Sequence, residues 1–200
     1  MNAPAEIILA SQSPRRKQLL DEHGYSFRVV TPSDGAECGM CSRETAAEMV
    51  ARLALQKAKD VAEREPIGLI LGCDTVAECC GQILGKPHNR EHAQQMLQLM
   101  SGRIHSVYSG LCLWWRPDHD PLVRVDVTRL EMDQLSPTQL EEYLETDQWI
   151  GKAGAFGYQD GLDWVHIREG SESNVVGLPM ELLDRMLIDL AADAFRPMRE

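Results

Sequence analysis

The reactive side chains of this 200-residue chain fall into a pair of arginines, one well-placed acid, scattered lysines and a glycine-punctuated loop. Arg15 and Arg16 follow Ser13-Pro14 directly after the apolar run Ile7-Ile8-Leu9-Ala10. Ser13 has the hydroxyl an N-cap needs, and Pro14 suits the first helical position, where a missing N–H costs nothing. The unpaired N–H groups of a helix start favour an exposed anion by about 0.3–1 kcal/mol, and a cation there works against the helix. Two arginines at such an end suit a polyanion, such as a chain of phosphates, docked in front of them. They also suit a solvated helix start with both side chains in water.

Asp74, in Gly72-Cys73-Asp74-Thr75, follows the continuous apolar run Ile67–Leu71. That spacing predicts a carboxylate at the C-terminal end of a buried strand, where open α/β sheets place their ligand crevices. There it can bind Mg²⁺ or take a proton from water, or simply accept N–H bonds in a turn. Lys86 sits in the stiff segment Leu84-Gly85-Lys86-Pro87, placed to meet a phosphate, and Lys57 lies on a long helix where a solvated lysine is the ordinary case. In Lys152-Ala153-Gly154-Ala155-Phe156-Gly157-Tyr158-Gln159 the glycines allow close backbone approach to a ligand, and the Gln159 amide can read a base edge through its donor and acceptor.

The elements that must position these groups are legible from pattern. Helices are predicted over Ser13–His23 (stopped by Gly24), Glu44–Glu65, Arg90–Met100 behind an Asn89 cap, Ser136 to about Glu145, and Met180–Ala194. Ser136-Pro137-Thr138-Gln139 has the form of a capping box. Strands are predicted over Ser26–Thr31, Ile67–Leu71, Thr75–Cys79 with Gln82–Leu84 as a hairpin, Ile104–Trp115, Leu122–Met132 and Trp164–Arg168. Both βα and hairpin connections occur, so the fold class is α/β with a mixed sheet. No linker or repeat divides the chain, and one folding unit with a cleft is expected over residues 1–200.

Composition excludes some partners. The formal net charge of −11 argues against nucleic acid and anionic membrane, both of which reward a basic surface. No apolar run approaches the ~20 residues of a membrane-spanning helix, and the start Met-Asn-Ala-Pro-Ala-Glu lacks a secretory signal's basic and apolar regions, so a cytoplasmic location is expected. The six cysteines include Cys38-Gly-Met-Cys41 and the adjacent pair Cys79-Cys80, a poor spacing for a zinc ribbon, and they read as reduced, non-ligating thiols. His88-Asn89-Arg90-Glu91-His92 matches H-x-x-E-H, but Pro87 and the Asn89 cap leave His88 ahead of the helix, off the face a zinc peptidase needs.

Taken in order, Ala-Ser-Gln-Ser-Pro-Arg-Arg (10–16), Gly-Cys-Asp-Thr (72–75), Gly-Lys-Pro (85–87), Lys-Ala-Gly-Ala-Phe-Gly-Tyr-Gln (152–159) and Asn-Val-Val-Gly-Leu-Pro (174–179) resemble the Maf family of nucleoside triphosphate pyrophosphatases, from Ile7 to about Leu187. The resemblance implies a two-lobed α/β fold around a long mixed sheet with flanking helices and a cleft between the lobes. It also implies a homodimer, a divalent metal (Mg²⁺ or Mn²⁺), and hydrolysis of a nucleoside triphosphate to the monophosphate and pyrophosphate in nucleotide housecleaning or a division-linked role. By motif, Ser11, Ser13, Arg15 and Arg16 would hold the phosphates with help from Lys57, Lys86 and Lys152. Glu37 and Asp74 would hold the metal, with Asp74 activating water and Lys86 assisting catalysis, and Gln159 would meet the base. The Lys152/Gln159 pattern resembles members acting on dTTP and UTP, whereas the branch preferring 7-methyl-GTP lacks it. A catalytically weak nucleotide-binding regulator is the competing class. Gly151, Cys73 and Asp160-Gly161-Leu162-Asp163-Trp164 depart from the family pattern, the last being less glycine-rich than the pyrimidine branch.

Overall fold

The computed structural model describes residues 6–36 and 43–194. Strand β1 (Ile7–Ala10) is buried along its whole length and leads through Ser11–Ser13 into helix α1 (Pro14–Glu22). Helix α1 ends as its sequence dictates. Gly24 takes φ 73°, and its N–H and that of Tyr25 bond back to the Asp21 and Leu20 carbonyls, a Schellman closure. The start differs from expectation: Ser13 occupies the N-cap position, but its hydroxyl makes no cap bond, and its own N–H donates to Ser11 Oγ at 3.2 Å.

Strand β2 (Phe27–Val29) follows, and then helix α2 (Ala46–Ala62), capped by a reciprocal Thr45–Glu48 box. Strand β3 (Gly68–Cys79) and strand β4 (Gln82–Leu84) form a hairpin, and helix α3 (Arg90–Met100) starts on the Asn89 side chain. Strands β5 (Ile104–Arg116) and β6 (Leu122–Met132) pair antiparallel. Helix α4 (Pro137–Glu145) starts on the Ser136–Gln139 capping box; strand β7 (Val165–Glu169), the short helix α5 (Glu172–Val176) and helix α6 (Met180–Ala194) complete the chain. Helix α5 carries no apolar periodicity in five residues and was not anticipated.

One mixed sheet runs β2-β1-β3-β5-β6-β7, with β4 beside the far end of β3. Its packing divides into two lobes. On one, β1, α1 and α6 bury Leu9, Leu20, Leu71, Leu183 and Met186; on the other, α3 and α4 bury Leu97, Met100 and Leu144 against Leu130 and Phe156.

Asp74 is a correction. The two strands expected at 67–71 and 75–79 are one continuous strand, and Asp74 stands in its middle, paired in register with Gly110 of β5. Gly72, which reads as a strand end, stays in the ladder because α2 presses onto the sheet there. A β-carbon on Gly72 would overlap the Ala54 carbonyl oxygen, and one on Gly110 would overlap that of Val50. The ligand crevice is nonetheless where Asp74 lies. On the open side of β3, β1 pairs only as far as Gly72, and β4 begins pairing only at Ala77. Among the described residues, 73–76 therefore have no strand neighbour on that edge. The C-terminal ends of β1 and β4 run toward this gap from opposite directions and deliver Ser11–Arg16 and Gly85-Lys86 into it.

Candidate active site

A cavity of about 1130 Å³ fills the gap. Its wall carries Ser11, Ser13, Arg15 and Arg16 from the β1–α1 turn, Lys57 from α2, Asp74 from β3 and Lys86 beyond β4. Four separate stretches of sequence thus deliver these expected site residues to one place; Glu37 lies outside the described residues, and Lys152 and Gln159 stand apart. Helix α2 brings Lys57 to the floor because its small face, Ala54 and Ala58, sits flush on Gly72. Lys57 Nζ donates to Asp74 Oδ1 at 2.6 Å and approaches the Cys73 carbonyl at 3.5 Å. Both side chains are nearly enclosed, 8% and 12% exposed, so the pair rests on mutual neutralisation as well as packing.

Arg16 is placed differently from its neighbour. Only 9% exposed, it donates from Nε to the Gly177 carbonyl (2.8 Å), from one terminal nitrogen to the Cys73 carbonyl (2.8 Å) and Ser11 Oγ (3.1 Å), and from the other to Thr75 Oγ1 (3.2 Å). Four of its five N–H groups are spent on the protein. Arg16 ties α1 to both sides of Asp74 and to the turn after α5. The network continues inward: Thr75 Oγ1 meets Ser109 Oγ at 2.8 Å, Ser109 reaches the Asn174 carbonyl, and the buried Asn174 amide donates to the Val107 carbonyl and Thr128 Oγ1. This clamp, which joins the first and last of the sequence motifs, was missed because Arg15 and Arg16 are indistinguishable by composition. Helical phase separates them: both line the cavity, but Arg15 reaches to Gly151 while Arg16 is turned onto Cys73, Thr75 and Gly177.

Arg15 holds the Gly151 carbonyl with one terminal nitrogen at 2.9 Å and lines the cavity with the rest of its guanidinium. Burial, and then Arg16 beside it, pulls its pKa below the ordinary arginine value, with Asp160 opposing that shift. A cation lacking full compensation beside a cavity suits an incoming anion. Lys86 is exposed on the opposite wall, and the Gly154 N–H bonded to the Gly85 carbonyl at 3.0 Å fixes its loop to the 152–159 segment.

That segment presents itself otherwise than expected. Gly151 lines the large cavity, but Lys152 does not; its ammonium is paired with Asp160. Gln159 is exposed and lines an adjoining hollow of about 420 Å³, which shares Arg15 and Val176 with the large cavity. Gln159 is thus on the flank of the cavity, beyond Arg15, and Lys152 is turned to Asp160 and lines neither hollow.

Other candidates separate cleanly from the site. His88 lies ahead of α3, and its N–H donates to His92 Nδ1 at 3.3 Å. Cys73, Cys79, Cys80 and Cys112 carry free thiols, burial pushing Cys112 up to about 12 and Cys79 up to about 11; Cys38 and Cys41 lie outside the described residues. Among the described residues no three His, Cys, Asp or Glu side chains gather as a metal site, and no helix is long and apolar enough to cross a membrane.

The architecture places the chain in a class of cleft-bearing mixed α/β proteins. The Ham1 protein of Staphylococcus aureus superimposes with a TM-score of 0.53 at 12% identity, covering 94% of this chain and 99% of that one. A HAM1 protein from Coxiella burnetii gives 0.52 at 16% identity, covering 94% and 98%. These likenesses are of fold alone. Sequence narrows the class: a family model described as Maf-like protein matches residues 6–190, and the chain belongs to the Maf family. A protein of Rhodopirellula baltica named dTTP/UTP pyrophosphatase is 59% identical over 192 residues, 96% of this chain and 85% of its own length. One of Dictyoglomus thermophilum with the same name is 39% identical over 183 residues, 91% of this chain and 94% of its own.

Proposed function

We propose that this protein is a metal-dependent nucleoside triphosphate pyrophosphatase acting on pyrimidine triphosphates of the dTTP/UTP kind. The observation that carries the reading is the enclosed Lys57–Asp74 pair on the floor of a cation-walled cavity, where the sheet is left open. The names of relatives 59% and 39% identical support the base class. In this reading Ser11, Ser13, Arg15 and Lys86 hold the triphosphate, and Arg16 holds the wall. Lys57 stands at the α–β bridge, where charge develops as the phosphoanhydride breaks. Water attacks the α-phosphorus, the α–β P–O bond breaks, pyrophosphate leaves, and Asp74 takes the proton.

Asp74 fits a divalent metal in the way Mg²⁺ is commonly held, through one or two carboxylates plus substrate phosphates, because its side chain's one hydrogen bond among the described residues uses Oδ1. Glu37 would be its partner ligand. A bound Mg²⁺ or Mn²⁺ would neutralise phosphate charge and polarise the attacked phosphorus. The family resemblance carries with it a homodimeric, cytoplasmic enzyme.

The test is product analysis with dTTP, UTP, CTP and 7-methyl-GTP under Mg²⁺ or Mn²⁺. Pyrophosphate is expected from dTTP and UTP, and Asp74→Asn should abolish its release while nucleotide still binds. Orthophosphate as product, or an Asp74→Asn rate equal to wild type, refutes the assignment. Tight binding without turnover of any triphosphate would make the protein a regulator instead.

A further inference from the structure

Lys152 and Asp160 form an ion pair whose side chains are only 11% and 14% exposed. It closes the loop on itself. Asp160 ends the tight turn Tyr158–Asp160, its N–H bonded to the Gly157 carbonyl at 3.0 Å, and Gly161 at φ 74° leads the chain away. Gly157 makes the room, since a β-carbon there would overlap both Asp160 Oδ2 and Lys152 Nζ. Gln159 belongs to the same turn, so the ion pair fixes the ammonium of Lys152 to the residue next to Gln159. The other ionisable groups around Asp160 among the described residues are Arg15, whose guanidinium holds the Gly151 carbonyl, and Tyr143, whose buried hydroxyl lies near the Gly157 backbone.

A lysine ammonium is a point charge on a flexible stem, and where it points is decided by its partner. Released from Asp160, an enclosed Lys152 one residue from Gly151 would turn to the nearest anion, the polyphosphate beside Arg15. With Asp160 in place it is held instead against the turn Tyr158–Asp160 that carries Gln159. We propose that Asp160 is a positioning residue for base recognition: it withholds Lys152 from the phosphates and stations it beside Gln159 to meet the nucleobase. An ammonium has three N–H donors and no acceptor. The N–H groups left over from Asp160 suit the carbonyl edge of uracil or thymine and oppose the amino group of cytosine. This inference rests on the pyrophosphatase reading and adds a residue that departs from the family pattern.

The experiment measures pyrophosphate release from UTP and CTP, and the Ki of inorganic tripolyphosphate, which has phosphates but no base. It uses the full chain as wild type, Asp160→Asn, Lys152→Met and the double variant. Asp160→Asn is expected to lower the UTP-to-CTP ratio of kcat/KM by about tenfold, the size of one misplaced polar contact, and not to raise the tripolyphosphate Ki. In the Lys152→Met background Asp160→Asn should lower the ratio no further, because the two residues act as a unit. Asp160→Glu, which keeps the charge, should recover part of the discrimination. An unchanged ratio overturns the proposal. So does a Ki that rises in step with KM, which would put Lys152 on the phosphates, or a loss that persists without Lys152. If Asp160→Asn fails to fold by thermal unfolding, Lys152→Met decides alone: it must lower the ratio and leave the Ki in place. A wild-type protein that releases no pyrophosphate from any triphosphate is a separate result, and it removes the underlying reading rather than the role of Asp160.

Discussion

Replacing Arg16 by lysine separates a clamp from a phosphate ligand. The guanidinium makes four hydrogen bonds of 2.8–3.2 Å to four acceptors arranged around it, in a place only 9% exposed. A lysine keeps the charge but offers three donors from one point, and it cannot span Gly177, Cys73, Ser11 and Thr75 together. Hydrogen bonds to a charged group contribute about 1.5–3 kcal/mol each, and losing two of them, discounted for relaxation, costs about 3 kcal/mol. That is a large part of the 5–15 kcal/mol that holds an ordinary domain together, and at this chain length it lowers the Tm by about 6–12 °C. Urea and thermal unfolding of Arg16→Lys should show this loss, with pyrophosphate release falling because Cys73 and Thr75, the residues either side of Asp74, lose their anchor. A variant that unfolds like wild type while its KM for UTP rises about tenfold or more would refute the clamp and return Arg16 to the phosphates.

Further expectations follow from the same geometry. Lys57→Met strands the enclosed Asp74 carboxylate and should cost about 3 kcal/mol, together with nearly all turnover; unchanged urea stability would show that the pair carries no weight. His105 is 2% exposed, neither ring nitrogen has a hydrogen-bond partner within bonding distance among the described residues, and burial, opposed by the nearby Arg103 backbone, lowers its pKa to about 4. The unfolded chain, with a histidine near 6.5, binds the proton first. Stability is therefore undiminished above pH 6.5 and falls as pH drops toward 4, by about 3 kcal/mol in all at 1.36 kcal/mol per unit. His105→Leu should flatten that part of the pH–stability curve, and an unchanged acid slope would count against it. Gly110→Ala would drive a methyl group into the Val50 carbonyl and lift α2 off the sheet, an expected loss of several kcal/mol readable by urea unfolding, with near-wild-type stability as the refuting result.

Local signals carried most of the fold. Ser136, Gln139 and Asn89 cap the helices they were expected to cap, and Gly24 closes α1, because each of these rests on bonds spanning at most five residues. Nonlocal effects did not show. Gly72 looked like the end of a strand because nothing in its neighbours tells that Ala54 needs the space above it. Ser13 looked like a working cap because the pull of Ser11 on the Ser13 N–H is a feature of the turn rather than of the helix. Of the candidate site, Ser11, Ser13, Arg15, Arg16, Lys57, Asp74 and Lys86 converge on one cavity, while Gln159 stands beyond Arg15 and Lys152 lines neither hollow. Lys152 is turned aside by its pairing with Asp160, an acid that composition records and spacing cannot place.

The interrupted edge of β3 sets folding against function. Had β1 continued past Ala10, or had β4 begun its pairing earlier, the ladder would have run unbroken, each added bond contributing about 0.5–1.5 kcal/mol. The zipped sheet would be firmer and would have no pit. Selection for thermal tolerance alone should therefore collect changes that lengthen these two short strands, and every such gain would be taken from the room in which a substrate sits.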